Sequence, residues 1–138
     1  MNQNLSHSSM EKTIQMAKST LATIFDMEIE HFEVNVSRKA NINEARRFLV
    51  YYLIKECGIR HSYMHKYIPA LRSHATSIWH FRKMEELMEN EFFTKESYEN
   101  FKTQMEKEGH TNLMKDYVKA IKEMQMIEER LKTLKKLI

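Results

Sequence analysis

The sequence predicts an all-α fold, and three observations carry that prediction. Only two glycines and one proline punctuate 138 residues, so sharp turns are few. Eleven methionines, unbranched residues at home in helices, are spread along the chain. Apolar residues recur at intervals of three and four rather than two, the period of a buried helical face.

The elements follow in order. Ser8 and Glu11 have capping-box spacing, and Met10, Ile14, Ala17, Leu21 and Ile24 then mark one face, which predicts a helix over about residues 9–26. A short helical stretch near Glu28–Phe32 precedes the aperiodic basic segment EVNVSRKANI, read as a loop. Asn43 is placed to cap the next helix, whose core stripe is Ala45, Phe48, Leu49, Tyr52 and Leu53. Gly58 follows its last turn, where a left-handed residue commonly ends a helix. Arg47, Tyr51 and Lys55 lie four apart on the other side, a second stripe suited to a phosphate backbone. A short helix over about 62–68 and a turn at PALR lead into a helix in which Ile78, Phe81, Met84, Glu85 and Met88 keep 3.6-residue spacing, the apolar members facing the core. Two helices joined by a few residues, the second opening with polar groups, describe a helix-turn-helix.

Beyond residue 92, Thr94 is expected to cap a helix ended by Gly109, and a long polar helix then runs on. Tyr117, Ala120, Met124, Ile127, Leu131, Leu134 and Ile138 alternate spacings of three and four, a coiled-coil seam of about three heptads. That stripe either pairs with a second copy or packs back on its own domain. The expected organisation is therefore a helical domain over 1–92 and a helical extension over 93–138.

Composition limits the functions open to the chain. Apolar residues are 42% and charged residues 30%, the balance of a globular protein. No apolar run approaches ~18 residues, and the first dozen residues lack a basic region followed by an apolar stretch, so neither a membrane span nor a signal peptide is expected. Cys57 is the only cysteine, which suits a reducing cytoplasm. The net charge of +3 hides an asymmetry: residues 38–84 hold 10 Lys/Arg against Glu44 and Glu56. The flanking thirds are mildly acidic. Such a concentration points to a polyanionic partner, with nucleic acid leading.

The stretch RSHATSIWHFRKMEEL resembles the C-terminal DNA-binding domain of the bacterial replication initiator DnaA. That family's recognition helix opens Arg-Asp-His-Ser/Thr-Thr-Val and continues Arg-Lys-Ile-Glu-Glu-Leu. Here the ungapped counterparts are Arg72-Ser73-His74-Ala75-Thr76-Ser77 and Arg82-Lys83-Met84-Glu85-Glu86-Leu87. Upstream, RRFLVYYLIKE is similar to Arg-Gln-Ile-Ala-Met-Tyr-Leu-Ala-Arg-Glu. The similarity spans about residues 11–92 and is thinnest over 58–71, where it requires an insertion and Pro69 replaces a glycine-rich turn.

The resemblance implies a Trp-repressor/DnaA-type helix-turn-helix bundle with an additional C-terminal helical pair. It implies a non-enzymatic, sequence-specific double-stranded DNA-binding protein, associated with DNA in a bacterial or phage-infected cell and acting in replication or transcription control. Arg72, Ser73, His74, Thr76 and Ser77 would face bases in the major groove. Arg47, Lys55 and Lys83 would meet the backbone, and Arg38, with Lys39 second, would reach the minor groove. Two departures matter. Ser73 stands where the family has a base-contacting Asp, and a hydroxyl cannot replace a carboxylate accepting from cytosine. Trp79 stands where the family usually has His. The DNA site is therefore expected to differ from the initiator's usual box.

Other chemistry finds little footing. Gly58 and Gly109 lie far apart and neither precedes Lys-Ser/Thr, so no phosphate-binding loop, nucleotide or other cofactor is expected. His61 and His65 are four apart, but no Cys or carboxylate pattern accompanies them, so no metal is assigned. No residue set suggests a nucleophile or an acid–base pair, so no enzyme is expected. A second reading comes from another class: the fold is kept while the protein serves as a helical adaptor or structural subunit. That adaptor would bind protein through its C-terminal helices, and under either reading dimerisation would use Tyr117, Met124, Ile127, Leu131 and Leu134.

Overall fold

A computed structural model of the chain describes residues 7–35, 37 and 39–137, with side chains from residue 9 onward except at 110–113. Among the described residues it contains five α-helices, three 3-10 turns and no strand, so the all-α class holds. The helices are α1 (His7–Ile24), α2 (Ala40–Lys55), α3 (Met64–Tyr67), α4 (His74–Asn90) and α5 (Phe92–Leu137); the 3-10 turns are Ile29–Phe32, His61–Tyr63 and Pro69–Leu71. The chain divides into two compact units, Met1–Met105 and Glu106–Ile138. Among the described residues, no helix is long and apolar enough to cross a membrane.

In the first unit, α1 buries Ile14, Ala17 and Leu21 at the expected spacing. The side chain of Ser8, the expected cap, lies outside those described. Asp26 ends this helix with φ 50, and the Met27 N–H bonds the Ala22 carbonyl at 2.9 Å, work more often done by glycine. Gly58 does the same after α2, with φ 71 and the Ile59 N–H on the Leu53 carbonyl at 3.0 Å.

The central element is α2. Its buried set includes Arg46, Phe48, Leu49, Val50, Tyr51 and Leu53, residues that point in nearly every direction, so neighbours must surround it. The expected polar stripe through Tyr51 is therefore corrected. Tyr51 is 9% exposed because the Phe81 ring of α4 stacks on it at 5.3 Å. Asn43 is not the cap either. The helix opens at Ala40, which puts Asn43 in the first turn, where its Oδ1 accepts from Arg46 Nη1 at 3.3 Å.

Two further expectations are corrected at α5. It begins at Phe92, before Thr94, whose hydroxyl donates to Glu91 Oε2 at 3.1 Å. It also runs through Gly109. A Cβ at that position would meet nothing within 4 Å, so no turn or close approach demands glycine there. The first turns of α5 belong to the first unit: Tyr98, Phe101 and Met105 are buried in its core. Tyr98 lies edge-on to Phe48 at 5.9 Å and to Tyr51 at 5.0 Å, while Phe101 meets Tyr52 at 5.1 Å. Tyr98 Oη also donates to Glu56 Oε1 at 3.4 Å, and Lys102 Nζ lies 3.5 Å from the same oxygen. Burying each such ring stabilises the unit by roughly 2–3 kcal/mol, which explains why compactness persists to Met105 rather than stopping at residue 92.

The second unit is the remainder of α5. Tyr117, Met124, Ile127, Leu131 and Leu134 are all more than half exposed along it. Ile138 lies outside the described residues.

Candidate nucleic-acid interface

The approach to α4 is built from short pieces. Pro69–Leu71 forms a 3-10 turn, and Arg72 then takes φ 67 and ψ −33 while the Ser73 N–H bonds the Leu71 carbonyl at 2.8 Å. A non-glycine residue at the centre of so tight a turn is strained by roughly 1–3 kcal/mol. Its side chain is exposed. Ser73, extended at φ −148, is the N-cap of α4, its Oγ accepting from the Thr76 N–H at 3.4 Å and lying 3.2 Å from the Thr76 hydroxyl. That bond occupies a lone pair of Ser73 in holding the helix start. His74 and Ala75 are exposed and Thr76 is half-buried.

Ser77 is corrected as a base-contacting residue. It is 0% exposed, and its Oγ lies 2.7 Å from His61 Nδ1. A side chain sealed between α4 and the 61–63 turn cannot reach a groove. The same bond engages one nitrogen of His61, the first of the His61/His65 pair. Burial, then the nearby Arg82 and His74, lower the His61 pKa. The buried face of α4 is Ser77, His80 and Met84, with Ile78, Phe81 and Met88 only half-buried. Met84 is buried as expected, but the buried face leans towards Ser77 and His80, roughly 60° around the helix from the expected apolar stripe.

His80 is 5% exposed, and its Nδ1 has no protein partner. Burial first, then Arg47 and Arg46, push its pKa down to about 4, so it is neutral at pH 7. Trp79, by contrast, is 55% exposed, with the Arg47 guanidinium 5.5 Å from its ring centroid. This pair is an aromatic face backed by a cation on the start of α4. Trp79 lies about 200° around the helix from Phe81, and Arg82, exposed, is next along the same face.

The expected backbone cations separate. Arg47 is half-buried beneath Trp79 rather than part of an open stripe. Lys55 is exposed, with Nζ 6.0 Å from the Tyr51 ring. Burial, followed by Glu85, Glu56 and Glu99, raises the Tyr51 pKa, so Lys55 stands in acidic company. Lys83 lies 4.0 Å from Glu86. Lys39 is the exposed residue preceding α2, and its N–H reaches Ser37 Oγ at 3.4 Å. Arg38 lies outside the described residues.

Arg46 is the residue that charge counting misassigns. It is 3% exposed and spends its guanidinium on the loop before α2. Nε donates to the His31 carbonyl at 2.9 Å, Nη1 to the Ser37 carbonyl at 3.2 Å and Nη2 to the Val34 carbonyl at 3.4 Å. Its role is to hold the segment that carries Lys39. The Cys57 thiol is pushed up to about 11 by burial and then Glu56, which keeps it protonated at neutral pH. Among the described residues no group of three His, Cys, Asp or Glu side chains could hold a metal ion. Comparison with known proteins returns no matching family model, no matching curated protein and no matching solved structure.

Proposed function

We propose that this protein is a non-enzymatic, double-stranded DNA-binding protein of the DnaA C-terminal type, with the start of α4 in the major groove. The observation that carries the reading is the strained, exposed Arg72 set directly before an exposed, capped helix N-terminus. Strain of this kind persists where the surroundings over-determine it and clusters at functional positions. Helix starts favour phosphate through unpaired amides and the helix dipole. Arg72, His74 and Thr76 contact bases or the flanking phosphates. Arg82 and the Arg47–Trp79 pair lie against the sugar–phosphate backbone, Lys55 is an outlying contact, and Arg38 and Lys39 approach the minor groove. Ser73 acts as the cap, so the base read by an Asp in the initiator family is not read the same way. The protein acts where DNA is replicated or transcribed, in association with it.

The exposed apolar stripe of Glu106–Ile138 favours a second reading, a helical adaptor that binds protein. Selection of bound duplexes from a random pool at near-physiological salt separates the two, with His74→Ala run beside the parent. DNA reading predicts an enriched motif that fades in the variant. Failure to retain any duplex refutes it in favour of the adaptor.

A further inference from the structure

We propose that the second unit pairs with a second copy of this chain as an antiparallel two-stranded coiled coil. This inference concerns the second unit alone and does not rest on DNA binding. A single helix leaves Tyr117, Met124, Ile127, Leu131 and Leu134 between 54% and 63% exposed, a continuous apolar seam. Their spacing sets the heptad: Tyr117, Met124 and Leu131 are a positions, and Ala120, Ile127 and Leu134 are d positions. Ile121, 38% exposed at an e position, widens the stripe.

The flanking charges identify the partner and its direction. Glu123 and Arg130 occupy successive g positions, Glu128 and Lys135 the corresponding e positions, and all four are exposed. In a parallel pair each g residue faces the e residue five positions on in the other strand. Glu123 would then face the partner subunit's Glu128, and Arg130 the partner subunit's Lys135. Both contacts repel, and two-fold symmetry doubles them. In an antiparallel pair g faces g. With every a layer opposite a d layer, Tyr117 meets the partner subunit's Leu134, Met124 the partner subunit's Ile127, and Leu131 the partner subunit's Ala120. That register sets Glu123 against the partner subunit's Arg130, twice by symmetry.

Sliding the strands by one heptad is worse in either direction. One slip sets Arg130 against its own symmetry mate and Glu128 against its own; the other sets Glu123 against its own, so although Asp116 then faces the partner subunit's Arg130, this slip adds a repulsion that the first register lacks. The charge pattern thus selects one orientation and one register, and it does so only if the partner is the same sequence. The helix can satisfy its own charge pattern with no other protein present.

Sedimentation equilibrium of the full chain tests this with Glu123→Arg, Arg130→Glu, their combination in one chain, and an equimolar mixture of the two single variants. Each substitution is on an exposed helix face, and circular dichroism confirms retained helix. Each single variant is expected to weaken self-association roughly tenfold, because two symmetry-related pairs turn from attraction to repulsion. The double variant and the mixture are expected to return to parental affinity, since both restore opposite charges across the antiparallel pair. A parent that stays monomeric at about 100 µM overturns the proposal. So does tighter association of Glu123→Arg, which a parallel pair would show, or single variants that leave association unchanged.

Discussion

Lowering the pH should destabilise this protein through His80. In the folded chain the His80 pKa is about 4, against about 6.5 for an unperturbed histidine. A depressed histidine is neutral when folded, so between these values the unfolded chain binds the extra proton. Stability from this group is therefore complete above about pH 6.5 and is lost as the pH falls towards 4. Integrating that difference gives a loss of about 2 kcal/mol by pH 5 and about 3 kcal/mol by pH 4. The cause is local: a buried ring with Arg47 and Arg46 near it on α2. His61, also lowered, adds a contribution of the same sign. The assay is urea unfolding at steps from pH 7.5 to 4.5 for the parent and His80→Gln, which keeps a polar side chain but does not titrate. Carboxylates titrate equally in both proteins, so the difference between the two curves isolates His80. The variant is expected to lose less stability than the parent over this range. Parallel curves would refute the assignment of His80 as a buried neutral group.

Arg46→Met should lower stability by roughly 2–3 kcal/mol in urea unfolding at pH 7, because three loop carbonyls and Asn43 lose a charged donor. The same change should sharpen proteolytic cleavage around residues 33–39; an unchanged midpoint and digest would show the guanidinium to be dispensable. The salt dependence of duplex binding should be shallower than the sequence charge suggests. Lys39, Lys55, Arg60, Lys66, Arg72 and Arg82 are the exposed cations described in the basic third. Counted with Arg38 and with Arg47 beneath Trp79, they limit the slope of log K against log salt to about −7, and a slope near −9 would require Arg46 to leave the loop.

The parts of the fold that could be read from the sequence are those whose signal is local and periodic. The α1 positions Ile14, Ala17 and Leu21 and the left-handed Gly58 each need only neighbours a turn away. What could not be read depends on partners far along the chain. Tyr51 looks amphipathic, and only the arrival of Phe81, thirty residues later, makes it core. Ser77 reads as a polar surface residue until His61, sixteen residues earlier, supplies its hydrogen bond. Arg46 counts as a surface charge until the loop before α2 folds over it. Gly109 shows the opposite error: glycine can end a helix, but here α5 runs through it. For the candidate site, the exposed His74 and Arg72 follow from position, whereas the Arg47–Trp79 pair depends on how α2 and α4 meet.

The same long-range bond decides what α4 presents outward. A helix rotates about 100° per residue, so burying Ser77 and His80 beside Met84, in place of Ile78, Phe81 and Met88, swings the opposite side by roughly 60°. An all-apolar interface would have drawn Ile78 and Phe81 fully inward. Instead the Ser77–His61 bond and the neutral ring of His80 make a polar pair of positions cheap enough to bury. Ala75, Trp79 and Arg82 then take the outer line, four and three residues apart, while the strained turn at Arg72 fixes where that line begins. Neutrality of His80 is thus a condition for the face on which DNA recognition is proposed, because a charged ring there would oppose Arg47 and Arg46 and favour turning α4 back. The inner face of the helix, which touches no ligand, sets the composition of the outer one.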